Sequence, residues 1–331
     1  MARNLITDVS GVRVGHAGDA KLGSGVTAIV FDTAVIASVD VRGGGPGTRE
    51  TALLDPAQTV EGIDAFALSG GSALGLDAAS GVQAYMREQG RGFRIRDAVV
   101  PIVPAAIMFD LLNGGDKNWG RYPPYRELGY EAAKNAAVDF TLGSFGAGLG
   151  ATTATLKGGI GSASALTRDG ITVGALVVVN AVGTTVIGDG PHFWAAPFEQ
   201  NNEFGGRKWP AEISPGDLAL RAKGGPAENT TIAVVATNAK LTKAQCNRLA
   251  VMAQDGFARA IYPVHTPLDG DVIFAAATGS KPLEDQHHGL AGLGMVAANV
   301  MARAIARGVY EATALPFSNA LPSWRDRFDR R

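Results

Sequence analysis

Short β-branched apolar runs separated by clusters of glycine constrain this chain more than any other feature. Its 331 residues include 44 glycines. They form no fixed repeat and gather at "RGGGPGTRE" (42–50), "SGGSALGL" (69–76), "GSFGAGLGA" (143–151) and "LKGGIGSA" (156–163). Such clusters mean tight turns and close backbone approaches. "GVRVGH", "GVTAIVFD" and "TAVIASVDVRGG" read as strands. "GGIGSASALTR" pairs with "DGITVGALVVVN" across Arg168-Asp169-Gly170, because Asp-Gly is a hairpin signal. The most apolar run, residues 171 to 188, carries Asn180 and many β-branched residues. Buried strands suit it better than a membrane span of ~20 apolar residues.

Four helices are expected. One is started by Ser72 and stopped by Gly90, and one covers 125–137. A third runs from a Thr242 cap through "LTKAQCNRLAVMAQDGFARAIY", and the last lies near 292–312. Strands come in sets and do not alternate regularly with helices. That favours an α+β fold of layers, sheet on sheet with helices outside, over a doubly wound parallel sheet. No Pro/Ser-rich linker divides the chain, so residues 1–331 read as a single domain. The tail "PSWRDRFDRR" reads as a mobile or interface segment.

The formal net charge is −1. A nucleic-acid or anionic-membrane partner usually requires a basic face, so neither is expected. Cys246 is the single cysteine, which excludes an internal disulfide; in its helical setting it reads as an inert thiol. The N-terminal "MARNLITDVSGVRVGH" has no apolar signal core, so a cytoplasmic protein is expected.

Several motifs fail. There is no Gly-x-Ser-x-Gly elbow and no Gly-Lys-Ser/Thr phosphate loop. "GAGLGA" (146–151) is followed by "TTATLKGG" rather than a helix, which argues against a dinucleotide site. The adjacent His287 and His288 cannot share a helix face, and no His-Glu-x-x-His occurs. "HTPLDGD" (265–271) brings Asp269 and Asp271 close but lacks the oxygen ligands calcium wants. It reads either as a plain turn before the strand "VIFAAATG" or as a carboxylate pair at that strand's mouth. No cofactor and no metal are expected.

"GPAENTTIAVVATN" (225–238) is the chemically loaded stretch. Asn229-Thr230-Thr231 forms a glycosylation sequon, which carries little weight without a secretion signal. It also suits a loop that enters a core strand. A third reading is chemical. A hydroxyl at a tight strand mouth can attack the preceding carbonyl, and hydrolysis of the resulting ester frees a new N-terminus. An N-terminal threonine carries a nucleophile and its own base, since an α-amine has an unperturbed pKa of roughly 7.7–8.0.

Taken with "GVRVGHAGD", "GSGVTAIVFD", "VRGGGPGTRET", "DAFALSGGSALGLDAASGV", "VVVNAVG", "NTTIAVVATN" and "HTPLDGDVIFAAATG", the chain resembles the DmpA-type self-processing aminopeptidases. That family includes L-aminopeptidase/D-amidases, β-aminopeptidases and NylC-like nylon-oligomer hydrolases. The resemblance covers nearly the whole chain. It implies a four-layer α/β/β/α sandwich of the DmpA/ornithine-acetyltransferase type. It also implies self-cleavage between Asn229 and Thr230 into α (1–229) and β (230–331) chains, with Thr230 as nucleophile. Asn180 matches an oxyanion-stabilising side chain. Lys157 matches a lysine near the nucleophile; on its own it also reads as an exposed hairpin lysine. Asp269 and Asp271 match a polar pair that would orient the Thr230 ammonium or grip a substrate's free amine. Phe109 stands where some members carry a tyrosine, and it has no hydroxyl. His16, Arg42, Arg49 and Asp77 lie in matching segments without an argued role. The implied substrate is a small peptide or amide with a free amine, and the implied assembly is a homo-oligomer of αβ units. An ornithine-acetyltransferase-like acyl transferase and an uncleaved small-amine-binding relative are the alternatives.

Overall fold

The computed structural model describes residues 2–223 and 229–329. Its strands are β1 (Val12–Asp19), β2 (Ser24–Val41), β3 (Thr48–Arg49), β4 (Gly62–Ser69), β5 (Phe93–Ile95), β6 (Ala98–Val100), β7 (Ala105–Ile107), β8 (Gly159–Leu166), β9 (Thr172–Val179), β10 (Ile232–Ala239) and β11 (Val272–Lys281). Its helices are α1 (Ala78–Glu88), α2 (Tyr125–Lys134), α3 (Lys243–Ala253), α4 (Asp255–Ala258), α5 (His288–Tyr310) and α6 (Trp324–Phe328). The architecture is mixed α/β. The main sheet runs β3-β7-β4-β2-β11-β10-β9-β8, with β1 paired to β2. Among the described strands only β10–β11 and β4–β7 pair in parallel, and each pair is joined by a helix-containing crossover.

β2 organises the sheet. Its first half pairs with β1 and β4, and its last six residues pair with β11, from Ile36↔Ala277 to Val41↔Val272. The sequence suggests two strands here, because Asp32-Thr33 looks like a break. The chain instead stays extended. Asp32, Thr33 and Ala34 are exposed, and the register with β4 shifts between Val30 and Val35.

Side chains alternate at period two, as strands buried on both faces require. Val26, Ala28 and Val30 of β2 join Ala65 and Ala67 of β4 against α1 and α2. Ile29, Phe31, Phe66 and Leu68 point the other way, to meet Val178, Ile232, Val234 and Phe274. Phe66 and Phe274 stack there at 4.6 Å between centroids. The remaining faces of β9, β10 and β11 present Val177, Val235 and Ile273 to Leu249, Ala297 and Met301 of α3 and α5. α5 is long and apolar enough to cross a membrane, but it serves here as a core helix on β8 and β9.

Several local features follow from identifiable residues. The Thr242 hydroxyl accepts from Gln245 N–H and the Gln245 side chain returns the bond, which caps α3 as expected. The Arg168-Asp169-Gly170 hairpin is present, with Gly170 at φ +71°. The helix expected from Ser72 starts only at Ala78, after a 3₁₀ stretch from Ser72 to Asp77. Within that stretch Gly75 packs directly against the chain before it: a Cβ there would sit 1.8 Å from the Gly70 carbonyl. The tail is not a loose segment. Trp324 is buried against Phe193, Tyr310 and Phe328, and its Nε1–H donates to the Pro191 carbonyl at 3.1 Å.

Candidate active site

Three strand ends converge where β10 begins. The Thr230 N–H donates to the Asn180 carbonyl, just beyond β9, at 2.8 Å. The Thr231 carbonyl accepts from Val272 N–H at the start of β11, at 3.1 Å. Asn229, Thr230 and Thr231 are all buried. Thr230 Oγ1 donates to the Asn229 carbonyl oxygen at 2.5 Å, and Gly270 N–H donates to the same oxygen at 3.0 Å. The peptide carbonyl before Thr230 is therefore polarised by two donors, one of them the neighbouring hydroxyl. Among the described residues, the buried Asn229 side-chain amide has no hydrogen-bond partner at either Nδ2 or Oδ1. Such an orphan is costly, of the order of 1–3 kcal/mol.

The "HTPLDGD" turn closes over this bond. Gly270 must be glycine: a Cβ there would lie 2.7 Å from Thr230 Oγ1 and 2.7 Å from the Gly45 carbonyl. The glycine loop after β2 holds the turn from behind. Arg42 N–H donates to the Asp271 carbonyl at 3.0 Å and Gly45 N–H to the Asp269 carbonyl at 2.8 Å.

Both carboxylates are nearly inaccessible and fully engaged. Asp269 accepts from Val182 N–H (3.1 Å) and from the N–H and hydroxyl of Thr266 (2.9 and 2.8 Å). Burial, then the nearby Asp271, raise the Asp269 pKa above the usual carboxylate value, while the Thr266 bonds oppose that. Asp271 Oδ1 accepts from Thr231 N–H at 2.9 Å, and its Oδ2 accepts from His265 N–H and Nδ1 at 3.2 and 2.8 Å.

Asn180 is held by its side chain as well as its carbonyl. Its Oδ1 accepts from Thr152 N–H and Lys223 Nζ, each at 3.0 Å, and its Nδ2 donates to the Phe109 carbonyl at 3.2 Å. Phe109 thus contributes its backbone here. Lys157 is no exposed hairpin lysine. It is completely buried, and its ammonium donates to the carbonyls of Gly148, Ala151 and Gly158 at 3.0, 2.8 and 2.7 Å. Burial pulls its pKa down to about 7, with Asp110 opposing and Lys223 assisting. None of its hydrogen bonds among the described residues reaches Thr230.

A cavity of about 510 Å³ adjoins Asn180, lined by Phe109, Leu112 and Phe317 and by Asp110, Lys157 and Lys223. The structure thus gathers Asn180, Asn229, Thr230, Asp269 and Asp271 into one hydrogen-bonded cluster, while Lys157 lines the adjoining cavity. His265, Lys223 and Asp110 are additions that motif reading misses. His265 sits inside a quoted motif, yet nothing in its spacing says that its ring turns back to Asp271. The other segment residues are structural: His16 meets Thr27, Arg42 pairs with Asp40, Arg49 binds Ser80 and Gln83, and Asp77 pairs with Arg126.

The chain is also similar to known proteins. The pattern of Peptidase family S58 matches residues 4–320. The chain is 43% identical, over 98% of both proteins, to an uncharacterized aminopeptidase of Mycobacterium tuberculosis. It is 28% identical to the 6-aminohexanoate-oligomer endohydrolase of a Kocuria species, over 82% of this chain and 74% of that protein. Its fold matches the L-aminopeptidase D-Ala-esterase/amidase of Ochrobactrum anthropi with a TM-score of 0.72 at 22% identity, over 98% of this chain and 91% of the other; that structure is described as a variant of the Ntn hydrolase fold. With family pattern, relatives and fold in agreement, the chain belongs to Peptidase family S58 and is a hydrolase of peptide or other amide bonds.

Proposed function

We propose that the protein is an N-terminal-nucleophile amide hydrolase that activates itself by cutting Asn229–Thr230. The observation that carries this reading is the Asn229 carbonyl. Its oxygen lies 2.5 Å from Thr230 Oγ1 and also accepts the Gly270 N–H. Oγ1 attacks the Asn229 carbonyl carbon, and the oxygen that becomes negative already has a backbone donor. The C–N bond breaks, the hydroxyl proton passes to the departing nitrogen, and an ester remains. Water hydrolyses it to an Asn229 carboxylate and a free Thr230 amine and hydroxyl. The unpaired Asn229 amide favours departure, because leaving the site exposes it to water.

In turnover the α-amine of Thr230 accepts the Oγ1 proton, and Oγ1 attacks the substrate amide. Asn180 supplies a donor to the developing oxyanion once its Nδ2 turns from the Phe109 carbonyl; such a donor is worth about 3 kcal/mol of barrier. Asp271 fixes Thr231, and Asp269 holds the turn and places negative charge near the Thr230 amine. Water then releases the acyl group. The three apolar clusters support a four-layer α/β/β/α sandwich as the frame. The relative at 43% identity is named an aminopeptidase, which favours a short peptide over an oligoamide as substrate.

A denaturing gel of purified protein tests the reading. Cleavage gives chains of 229 and 102 residues. Thr230→Ala is expected to leave one full-length band and no activity. A wild-type chain that stays whole and still hydrolyses amides would falsify the nucleophile assignment. Transfer of acetyl from acetyl-ornithine, with no amide hydrolysis, would favour the transferase alternative.

A further inference from the structure

We propose that His265 is a positioning residue for the Thr230 nucleophile, acting through Asp271; this rests on the reading of Thr230 given above. Self-cleavage would remove the covalent tether on the N-terminal side of Thr230. Three contacts then locate the new N-terminus: its own nitrogen on the Asn180 carbonyl, Thr231 N–H on Asp271 Oδ1, and the Thr231 carbonyl on Val272 N–H. The second contact is only as rigid as the carboxylate that makes it.

A carboxylate held at one oxygen can still rotate about its last side-chain bond. Asp271 is held at both. His265 donates its backbone N–H and its ring Nδ1 to Oδ2, at 3.2 and 2.8 Å. A carboxylate only accepts, so the Nδ1 nitrogen carries the proton. The ring also packs on Phe257, at 5.8 Å between centroids and 26° between planes. It reaches Asp271 because His265 adopts the left-handed conformation, φ +53°. A non-glycine residue there is uncommon and is retained where the surroundings determine it. The line of contact therefore runs from Phe257 through His265, Asp271 and Thr231 to Thr230.

The same turn carries Gly270, whose N–H meets the Asn229 carbonyl. Loosening Asp271 should accordingly slow both self-cleavage and turnover without weakening substrate binding. Small displacements of a reacting group carry large rate costs.

His265→Gly, His265→Asn and His265→Asp separate the contributions. Glycine accommodates the left-handed backbone but removes the ring donor. Asparagine also tolerates that backbone and presents an amide donor to Asp271. Aspartate has the same shape as asparagine but no donor, and it repels Asp271. We expect His265→Gly and His265→Asp to slow precursor cleavage and lower kcat by about tenfold or more with KM within about twofold. His265→Asn should recover most of both rates. A wild-type His265→Gly overturns the proposal, as does a rise in KM with kcat intact, which would make His265 a substrate contact. Equal impairment of the asparagine and aspartate variants also overturns it, and that comparison stands even where the glycine variant does not fold. Wild-type cleavage in the same gels keeps the two readings apart. If wild type never cuts, the Thr230 assignment fails; if wild type cuts and His265→Gly cuts equally well, only the role of His265 fails.

Discussion

Lys157 shows how burial rather than contact sets the character of a residue. All three of its N–H groups go to main-chain carbonyls, and the ammonium still titrates near 7 because it has lost its water. The consequence for stability has a definite sign. The folded pKa lies below the unfolded value of 10.5, so between about 7 and 10.5 the unfolded chain binds more protons, and stability rises with pH across that window. The contribution is fully present above 10.5 and is lost as pH falls through 7. Lys157→Met should remove this slope while lowering stability throughout, since three carbonyls lose their donor. Denaturant titrations at pH 7 and pH 9 check it: the wild type should gain more on going to pH 9 than the variant does. Residues of the cluster that lie in quoted motifs, such as Thr230, Asn180 and the Asp269/Asp271 pair, were legible before folding. Lys223 was not, because it meets Asn180 only when the chain returns across 43 positions. Nor was the burial of Lys157, which depends on the loop of Gly148 and Ala151 closing over it.

Among the elements, composition signalled strands and turns well but misjudged what some glycines do. The "LKGGIGSA" cluster reads as a turn as a glycine cluster and as a strand in the hairpin pairing, and the strand reading holds for Gly159 and Gly161, which lie within β8. They are there because α5 crosses at backbone distance. A Cβ at Gly161 would sit 1.9 Å from the Ala304 carbonyl, and one at Gly159 would sit 2.4 Å from the Gly308 carbonyl. Helix backbone cannot give way cheaply, so Gly161→Ala should cost about 3 kcal/mol or more, measurable by equilibrium urea unfolding. β2 escaped recognition as one strand for the opposite reason. Its exposed Asp32, Thr33 and Ala34 resemble loop residues, and the pairing of Phe31 with β1 before them and of Val35 with β4 after them keeps the strand continuous. The mobile reading of the tail overlooked one anchor: six of its ten residues are Arg or Asp, but Trp324 decides its place.

For the whole molecule, the position of β10 matters most. It lies between β9 and β11, antiparallel to the first and parallel to the second, and the proposed cut falls two residues before it. The hydrogen bonds on both flanks do not depend on the severed peptide. The two chains should therefore stay together through gel filtration without denaturant and melt in one cooperative transition by calorimetry. Separate elution or two independent transitions would contradict that expectation. A 1–229 fragment made alone should not fold, since it lacks β10 and β11 from the middle of the sheet.

That placement would also let the proposed cut change the molecularity of folding. In the uncut chain every strand needed to complete the sheet belongs to one covalent chain, so assembly is first order and independent of concentration. After the proposed cut β10 and β11 would sit on one polypeptide and β2, β8 and β9 on another. A molecule that unfolded would then have to find its other half by diffusion, and recovery would become second order. The working form would persist through the height of its unfolding barrier rather than through any ability to rebuild itself. Its sequence would direct assembly once, while the peptide before Thr230 is whole.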